Sequence, residues 1–258
     1  ITQQRLDNHI METLLLRSQA LNNVPSKKHK EKIYSAIKSC ETCSSVSREN
    51  FSDGLCKKCA LINVIYNRYA ESNIPIEYWD LKMDANFRGY PALKSKYEEI
   101  ILDLRKSYFQ GTSICFAGSH GLGKTMTVSC ILKKASQKGF TCLYTTLSDI
   151  VNALTQAESQ DKFLARRELV LVDFLVIDEF DSRFISSESS ADLFASVLEN
   201  VFRTRSQNKL PTFMCTNSPN ILETFNGPLK QSLGSLMKGY LKMFPVFGED
   251  FRSKGENA

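Results

Sequence analysis

At 258 residues, with 42% hydrophobic and 24% charged residues, the chain has the composition of a globular protein with one sizeable core and room for an accessory module. No run of about 18 apolar residues occurs, so no membrane partner or spanning helix is expected. The net charge of +5 permits contact with nucleic acid without requiring it. The chain opens on Ile1 rather than Met, as a processed or trimmed N-terminus would. No apolar signal core follows, so secretion is not expected and a cytoplasmic location is. Eight cysteines in such a chain argue against a disulfide scaffold. Cys115, Cys130, Cys142 and Cys215 sit in or beside apolar segments and read as small buried hydrophobes.

In chain order, residues 1–70 show no alternation of strand and helix and read as a small helical, zinc-binding domain. Leu6, Ile10 and Leu14 recur at helical spacing. Val24-Pro25-Ser26 breaks that pattern, and a basic stretch follows with Lys27, Lys28, Lys30 and Lys32. A second short helix containing Ile33, Tyr34 and Ile37 leads into Cys40-x-x-Cys43 and Cys56-x-x-Cys59, separated by twelve residues. Two such knuckles bring four thiolates around one Zn²⁺ in tetrahedral geometry. Four sulfur ligands leave no open position, so the ion is structural rather than catalytic.

Residues 71–258 read as a second domain. Ile74-Pro75 starts an extended joining segment, because a residue before proline is pushed out of the α region. Leu93 to Phe109 then reads as a helix ending near Gly111. Strands are expected at 113–117, 141–145, 173–178 and 212–216, and helices at about 124–138, 148–158 and 189–204. This alternation predicts an α/β fold, a parallel sheet flanked by helices, with ligands beyond the carboxyl ends of its strands.

The polar motifs fall at those ends. Gly118-Ser119-His120-Gly121-Leu122-Gly123-Lys124-Thr125 matches the phosphate-binding pattern G-x-x-x-x-G-K-[ST], set between a strand and a helix that continues through Met126. Glycines let the backbone turn its N–H groups toward an anion, and the helix N-terminus adds its positive dipole end. Lys124 supplies charge to the outer phosphates, and the Thr125 hydroxyl can ligate Mg²⁺. Residues 118–126 are therefore the expected ATP/ADP-binding stretch. Phe174 to Glu179 forms an apolar strand delivering two adjacent carboxylates, 53 residues after Thr125. Asp178 is the expected Mg²⁺ holder and Glu179 the residue that orients or deprotonates water. Thr216-Asn217 ends the strand at 212–216, where Asn217 can reach a γ-phosphate or the lytic water; a simple turn start is the alternative. Lys124, Asp178, Glu179 and Asn217 are thus the catalytic candidates of an Mg²⁺-dependent ATPase acting by positioning and electrostatics.

In order and spacing these motifs resemble Walker A, Walker B and sensor 1 of the DnaC/DnaI-type helicase loaders of bacteria and bacteriophages. These loaders are a branch of the AAA+ P-loop ATPases that also includes the IstB transposition proteins. Ile74-Pro75-x-x-Tyr78, Leu143 to Asp149, and Gly248-Glu249-Asp250-Phe251-Arg252 resemble further family segments, so the likeness spans about residues 71–255. It implies an ATP-dependent loader that binds a hexameric DnaB-type replicative helicase, delivers it onto DNA at replication initiation, and self-associates. The zinc-binding front end would grip the helicase. The alternative within the same family is a TnsC- or IstB-like ATPase that coats DNA and recruits a transposase. Residues 229–238, where the family places an arginine reaching the neighbouring nucleotide, contain none. Arg203, Arg205 or Lys238 could substitute, although both arginines read equally well as solvent-facing helix charges. Slow intrinsic turnover is expected. Single-stranded DNA is a further expected partner, along Lys133, Lys134 and Lys138 and then Lys162, Arg166 and Arg167, though no aromatic interleaving is read there. Lys57 and Lys58, inside the second knuckle, leave direct DNA contact there open.

Overall fold

The computed structural model describes residues 57–155, 159–181, 188–218 and 227–251. The helices expected over residues 1–37, together with Cys40, Cys43 and Cys56, lie outside them. Contacts divide the chain after Trp79 into units 1–79 and 80–258. The segment Ile74–Trp79, read above as part of the joining region, thus falls on the N-terminal side.

Of the first unit, helix α1 (Lys57–Glu71) and a 3-10 turn (Ile76–Tyr78) are described. Cys59 lies in the first turn of α1. Pro75 sets the 3-10 turn with φ −58°. Trp79 packs its ring 5.2 Å from Tyr66 and 6.0 Å from Tyr69, and donates its indole N–H to Ile74 O at 2.8 Å. A buried indole needs such an acceptor, so this small aromatic cluster carries its own polar partner.

The second unit runs α2 (Pro91–Leu102), α3 (Leu104–Phe109), β1 (Ile114–Ala117), α4 (Lys124–Gln137) and β2 (Cys142–Thr146). It continues α5 (Leu147–Thr155), α6 (Ser159–Leu171), β3 (Phe174–Asp178), α7 (Glu188–Gln207), β4 (Thr212–Thr216), α8 (Gly227–Tyr240) and β5 (Lys242–Pro245). The strands form one parallel sheet in the order β2-β3-β4-β1-β5. The three central strands are buried on both faces, which is why they read as unbroken apolar runs rather than alternating ones. Phe174, Leu175, Val176 and Ile177 of β3 are each fully buried, a contribution of roughly 1.5–3 kcal/mol apiece. One face of the sheet, with Cys115, Leu175, Ile177 and Met214, forms a core with Val197, Leu198, Val201, Phe202, Met237 and Leu241. Helix α4 packs on β2, β3 and β4.

The four expected strands are present within a residue of their predicted limits. Two differences have plain causes. The helix read as 93–109 is two helices, because Asp103 takes φ −140° and accepts the Lys106 N–H at 2.9 Å, ending one helix and capping the next. Helix α6 and strand β5 went unread. The first carries six charged or amide residues in thirteen, SQDKFLARRELVL, and the second is a four-residue edge strand, largely exposed, ending in proline.

Arg205 corrects the sequence reading. It is neither solvent-facing nor able to reach another subunit, because it is fully buried. Its Nε donates to Thr212 Oγ1 at 2.8 Å, NH1 donates to Leu169 O at 3.1 Å and Val172 O at 2.8 Å, and NH2 donates to Pro211 O at 2.7 Å. Burial draws its pKa down to about 10, opposed by Tyr240, Asp173 and Tyr108, so it stays charged at neutral pH. Around it, Thr141 donates N–H and Oγ1 to Asp173 Oδ2 at 2.7 and 2.8 Å, and Ser113 Oγ accepts Thr212 N–H at 3.0 Å. The amino ends of four strands are thereby tied together, and the carboxyl ends are left for a ligand. Arg203, by contrast, is exposed and paired with Glu199 at 2.6 Å. Arg205→Ala should lower stability by about 3 kcal/mol or more, since several buried acceptors lose their donor at once. Arg203→Ala should shift it by less than about 0.5 kcal/mol; urea unfolding of both variants measures the contrast.

Candidate functional site

The loop at residues 118–123 leaves β1 beside the end of β4. Ala117 is in register with Thr216 on one side and Pro245 on the other, and Gly118 donates its N–H to Thr216 O at 3.2 Å. Asn217 therefore emerges next to the loop, half-buried. Gly121 and Gly123 take φ of +71° and +89°, which side chains rarely adopt. Gly123 is the N-cap of α4 and its carbonyl accepts both the Thr127 N–H at 3.0 Å and the Thr127 hydroxyl at 2.8 Å. The first turn of α4 holds Lys124, Thr125 and Met126 at the mouth of this loop. Lys124 is 6% exposed, and its ammonium donates to Gly118 O at 2.8 Å and Ser119 O at 2.6 Å, bridging the loop it belongs to. Ser119 and His120 are exposed, whereas Leu122 is fully buried.

Two segments that the sequence did not tie to the loop press on its outside. Tyr90 donates its N–H to Leu122 O at 3.0 Å, and a side chain at Gly123 would lie 2.9 Å from the Phe87 ring. From the carboxyl-terminal side, Phe251 donates its N–H to Gly121 O at 3.2 Å, and the Asp250 carboxylate occupies the space a side chain at Gly121 would need. Gly248-Glu249-Asp250-Phe251 was legible only through resemblance; contact with the loop gives it a physical place.

Strand β3 brings Asp178 to its carboxyl end, 4% exposed. Its Oδ1 accepts the Glu179 N–H at 2.8 Å, and Glu179 has φ +49°, an uncommon conformation for a side chain of that size. Phe180 donates its N–H to Cys215 O at 2.9 Å, which closes the turn. Burial pushes the Cys215 thiol well above its usual pKa, and Asp178 adds to that shift while Lys124 opposes it. The strand order sets the loop that follows β1 and the Asp178 end of β3 on either side of β4, at the same edge of the sheet. Burial alone pushes Cys115 up to about 12. These thiols and those of Cys130 and Cys142 are buried, as their apolar surroundings suggested.

The basic residues read as a nucleic-acid path separate. Lys133 is 6% exposed and donates its ammonium to Leu81 O, so it anchors the segment around Leu81 rather than facing solvent. Burial lowers its pKa. Lys134 and Lys138 are exposed, as is Arg166 on α6, while Lys162 and Arg167 are half-buried. Between Lys162 and Arg166 the ring of Phe163 is 63% exposed, the aromatic member the sequence reading did not credit.

A parallel sheet in the order β2-β3-β4-β1-β5, a phosphate loop after β1 and a carboxylate pair after β3 define the AAA+ P-loop ATPase class. The chain belongs to the family of IstB-like ATP binding proteins, whose model matches residues 81–210. No curated protein sequence matches it. Among solved structures, that of DnaI aligns with a TM-score of 0.54 at 17% identity, covering 67% of this chain and 94% of DnaI. Domain III of the Thermotoga maritima replication initiation protein DnaA aligns at 0.51 and 20% identity, covering 70% and 72%. DnaA bound to AMPPCP and single-stranded DNA aligns at 0.52 and 18% identity, covering 68% of this chain and 51% of that one. At these identities the shared property is the fold. No described helix is long and apolar enough to cross a membrane.

Gly121→Ala should weaken nucleotide binding at least about tenfold, because the methyl group meets Asp250 and the positive φ penalises it. Titration with a fluorescent ATP analogue measures this, and near-unchanged affinity would mean that the loop tolerates a different path.

Proposed function

We propose that this protein is an Mg²⁺-dependent ATPase that loads a DnaB-type replicative helicase onto DNA. What supports the ATPase reading is the placement of the phosphate loop and of the buried Asp178 strand end on either side of β4 at the carboxyl edge of the sheet, with Lys124 in the first turn of α4. In that reading the loop N–H groups of residues 118–126 and the Lys124 ammonium bind ATP or ADP phosphates. For this, Lys124 exchanges its two loop carbonyls for phosphate oxygens. Magnesium in such sites takes few protein oxygens, completed by water and phosphates. Thr125 and Asp178 are a fitting hard-oxygen pair, and no cluster of three or more metal-binding side chains exists among the described residues. The bound ion would supply charge neutralisation for the transferring phosphoryl group. Glu179 orients the attacking water, and Asn217 reaches the γ-phosphate side from the neighbouring strand.

Turnover is slow in this reading. Helix α8 offers Lys230 and Lys238 but no arginine, Arg205 is locked inside, and Arg203 is engaged with Glu199. An arginine supplied to a phosphoryl-transfer site is worth orders of magnitude in rate. The hydrolysis rate should be unaffected by protein concentration or DNA, and strongly cooperative turnover would contradict this. Glu179→Gln should abolish hydrolysis while keeping ATP binding; a variant that still turns over at the original rate would remove Glu179 from the mechanism.

The helicase-binding role is assigned to residues 1–70, with Cys40, Cys43, Cys56 and Cys59 holding a structural Zn²⁺. That assignment rests on the two C-x-x-C knuckles and on the loader resemblance. The exposed Phe163 between Lys162 and Arg166 supports a single-stranded DNA contact on α6, because a base can stack on the ring while the cations meet the backbone. The IstB-like family match favours a second reading, an ATPase that coats duplex DNA and recruits a transposase. Pull-down of a replicative helicase by the whole chain and by residues 71–258 separates them. Retention by the whole chain alone supports the loader. Filaments on duplex DNA, without helicase capture, support the transposition regulator.

A further inference from the structure

We infer that Tyr144 is a positioning residue for the ATPase centre: its phenol fixes the Asp178 carboxylate and, through it, the backbone turn that aims Glu179. The inference rests on the reading of Asp178 as the magnesium-side carboxylate. Tyr144 stands on β2, in register with Val176 of β3, and Thr146 is in register with Asp178. Side chains two apart on a strand share a face, so Tyr144 lies diagonally behind Asp178 on the same side of the sheet. The length of its ring carries the hydroxyl forward to Asp178 Oδ2, at 2.6 Å and buried. A phenol donating to a buried carboxylate makes a short, charge-assisted bond.

This bond completes the restraint on Asp178. Oδ1 already accepts the Glu179 N–H at 2.8 Å, so both carboxylate oxygens are held and the plane of the group is set. Each oxygen keeps a lone pair for a metal-bound water. The residue whose N–H is held in this way, Glu179, is also the one that turns the chain away from the strand, with φ +49°. If the carboxylate were free to rotate, that N–H would lose its acceptor and the turn into Glu179 would lose one of its restraints. Thr146, the other β2 residue near this end, is committed elsewhere: its N–H and hydroxyl donate to Asp149 Oδ2 at 3.1 and 2.8 Å, capping α5. A buried tyrosine needing any acceptor could explain a hydrogen bond. Here the acceptor is the carboxylate at the strand end, itself buried, so the bond restrains that group as well as satisfying the phenol.

Tyr144→Phe removes the oxygen and keeps the ring. Fluorescent ATP-analogue binding to the full chain is measured in EDTA and across a Mg²⁺ titration, beside Asp178→Asn and the unaltered protein. Outer partners of metal-binding groups typically contribute 10–100-fold. The expected result for Tyr144→Phe is unchanged affinity in EDTA, a Mg²⁺ midpoint raised about tenfold or more, and a kcat lowered by a similar factor with KM for ATP nearly constant. An unaltered Mg²⁺ midpoint and kcat in Tyr144→Phe, with Asp178→Asn impaired, would overturn the inference alone. Loss of nucleotide binding in EDTA would also overturn it, since the phenol would then be structural. Absence of any Mg²⁺ response in the unaltered protein would instead overturn the underlying reading of Asp178.

Discussion

A guanidinium with no access to water holds the middle of this sheet in register. Arg205 ties the end of α6 and the start of β4, where Leu169, Val172, Pro211 and Thr212 provide its acceptors. A parallel sheet has no hairpins to set its strand offsets, so such anchors matter more than in antiparallel ones. Shifting β3 against β4 by one residue would turn every side chain to the opposite face. Asp178 would then point into the apolar core, and Ile177 would occupy the nucleotide side. The charge at the closed end of the sheet thus fixes which side chains β3 presents at its open end.

At the open end the site is built by convergence from several strands. The phosphate loop belongs to β1, the carboxylates to β3, the amide of Asn217 to β4 and the phenol of Tyr144 to β2. Each element alone is a common turn or strand end. Only the order β2-β3-β4-β1 brings them to one edge of the sheet.

What could be read beforehand was whatever leaves a local signature. The glycine-rich loop, the apolar runs of β1, β3 and β4, and the acid pair at the end of β3 are contiguous, so their residue types speak directly. Strand order was beyond reach, because nothing local says that β1 slots between β4 and β5. The two arginines of α7 are two residues apart with the same chemistry; only tertiary packing distinguishes the exposed Arg203 from the buried Arg205. Tyr144 had a faint signal, sharing the parity of Thr146 and hence of the strand-end carboxylate, yet an aromatic residue in an edge strand usually needs no further explanation. The grip of Phe251 and Asp250 on Gly121 joins residues about 130 positions apart, which no pattern of spacing reveals.

The chain contains a single tryptophan, and it sits in the smaller of the two units. Trp79 is 3% exposed and packed among Tyr66 and Tyr69, with its N–H engaged by Ile74 O. Its emission is therefore set by a dry aromatic nest at the end of the N-terminal unit, while the sheet and its phosphate loop contain no indole at all. The molecule thus carries a built-in indole label in its smaller unit and none in the larger one, which holds the phosphate loop.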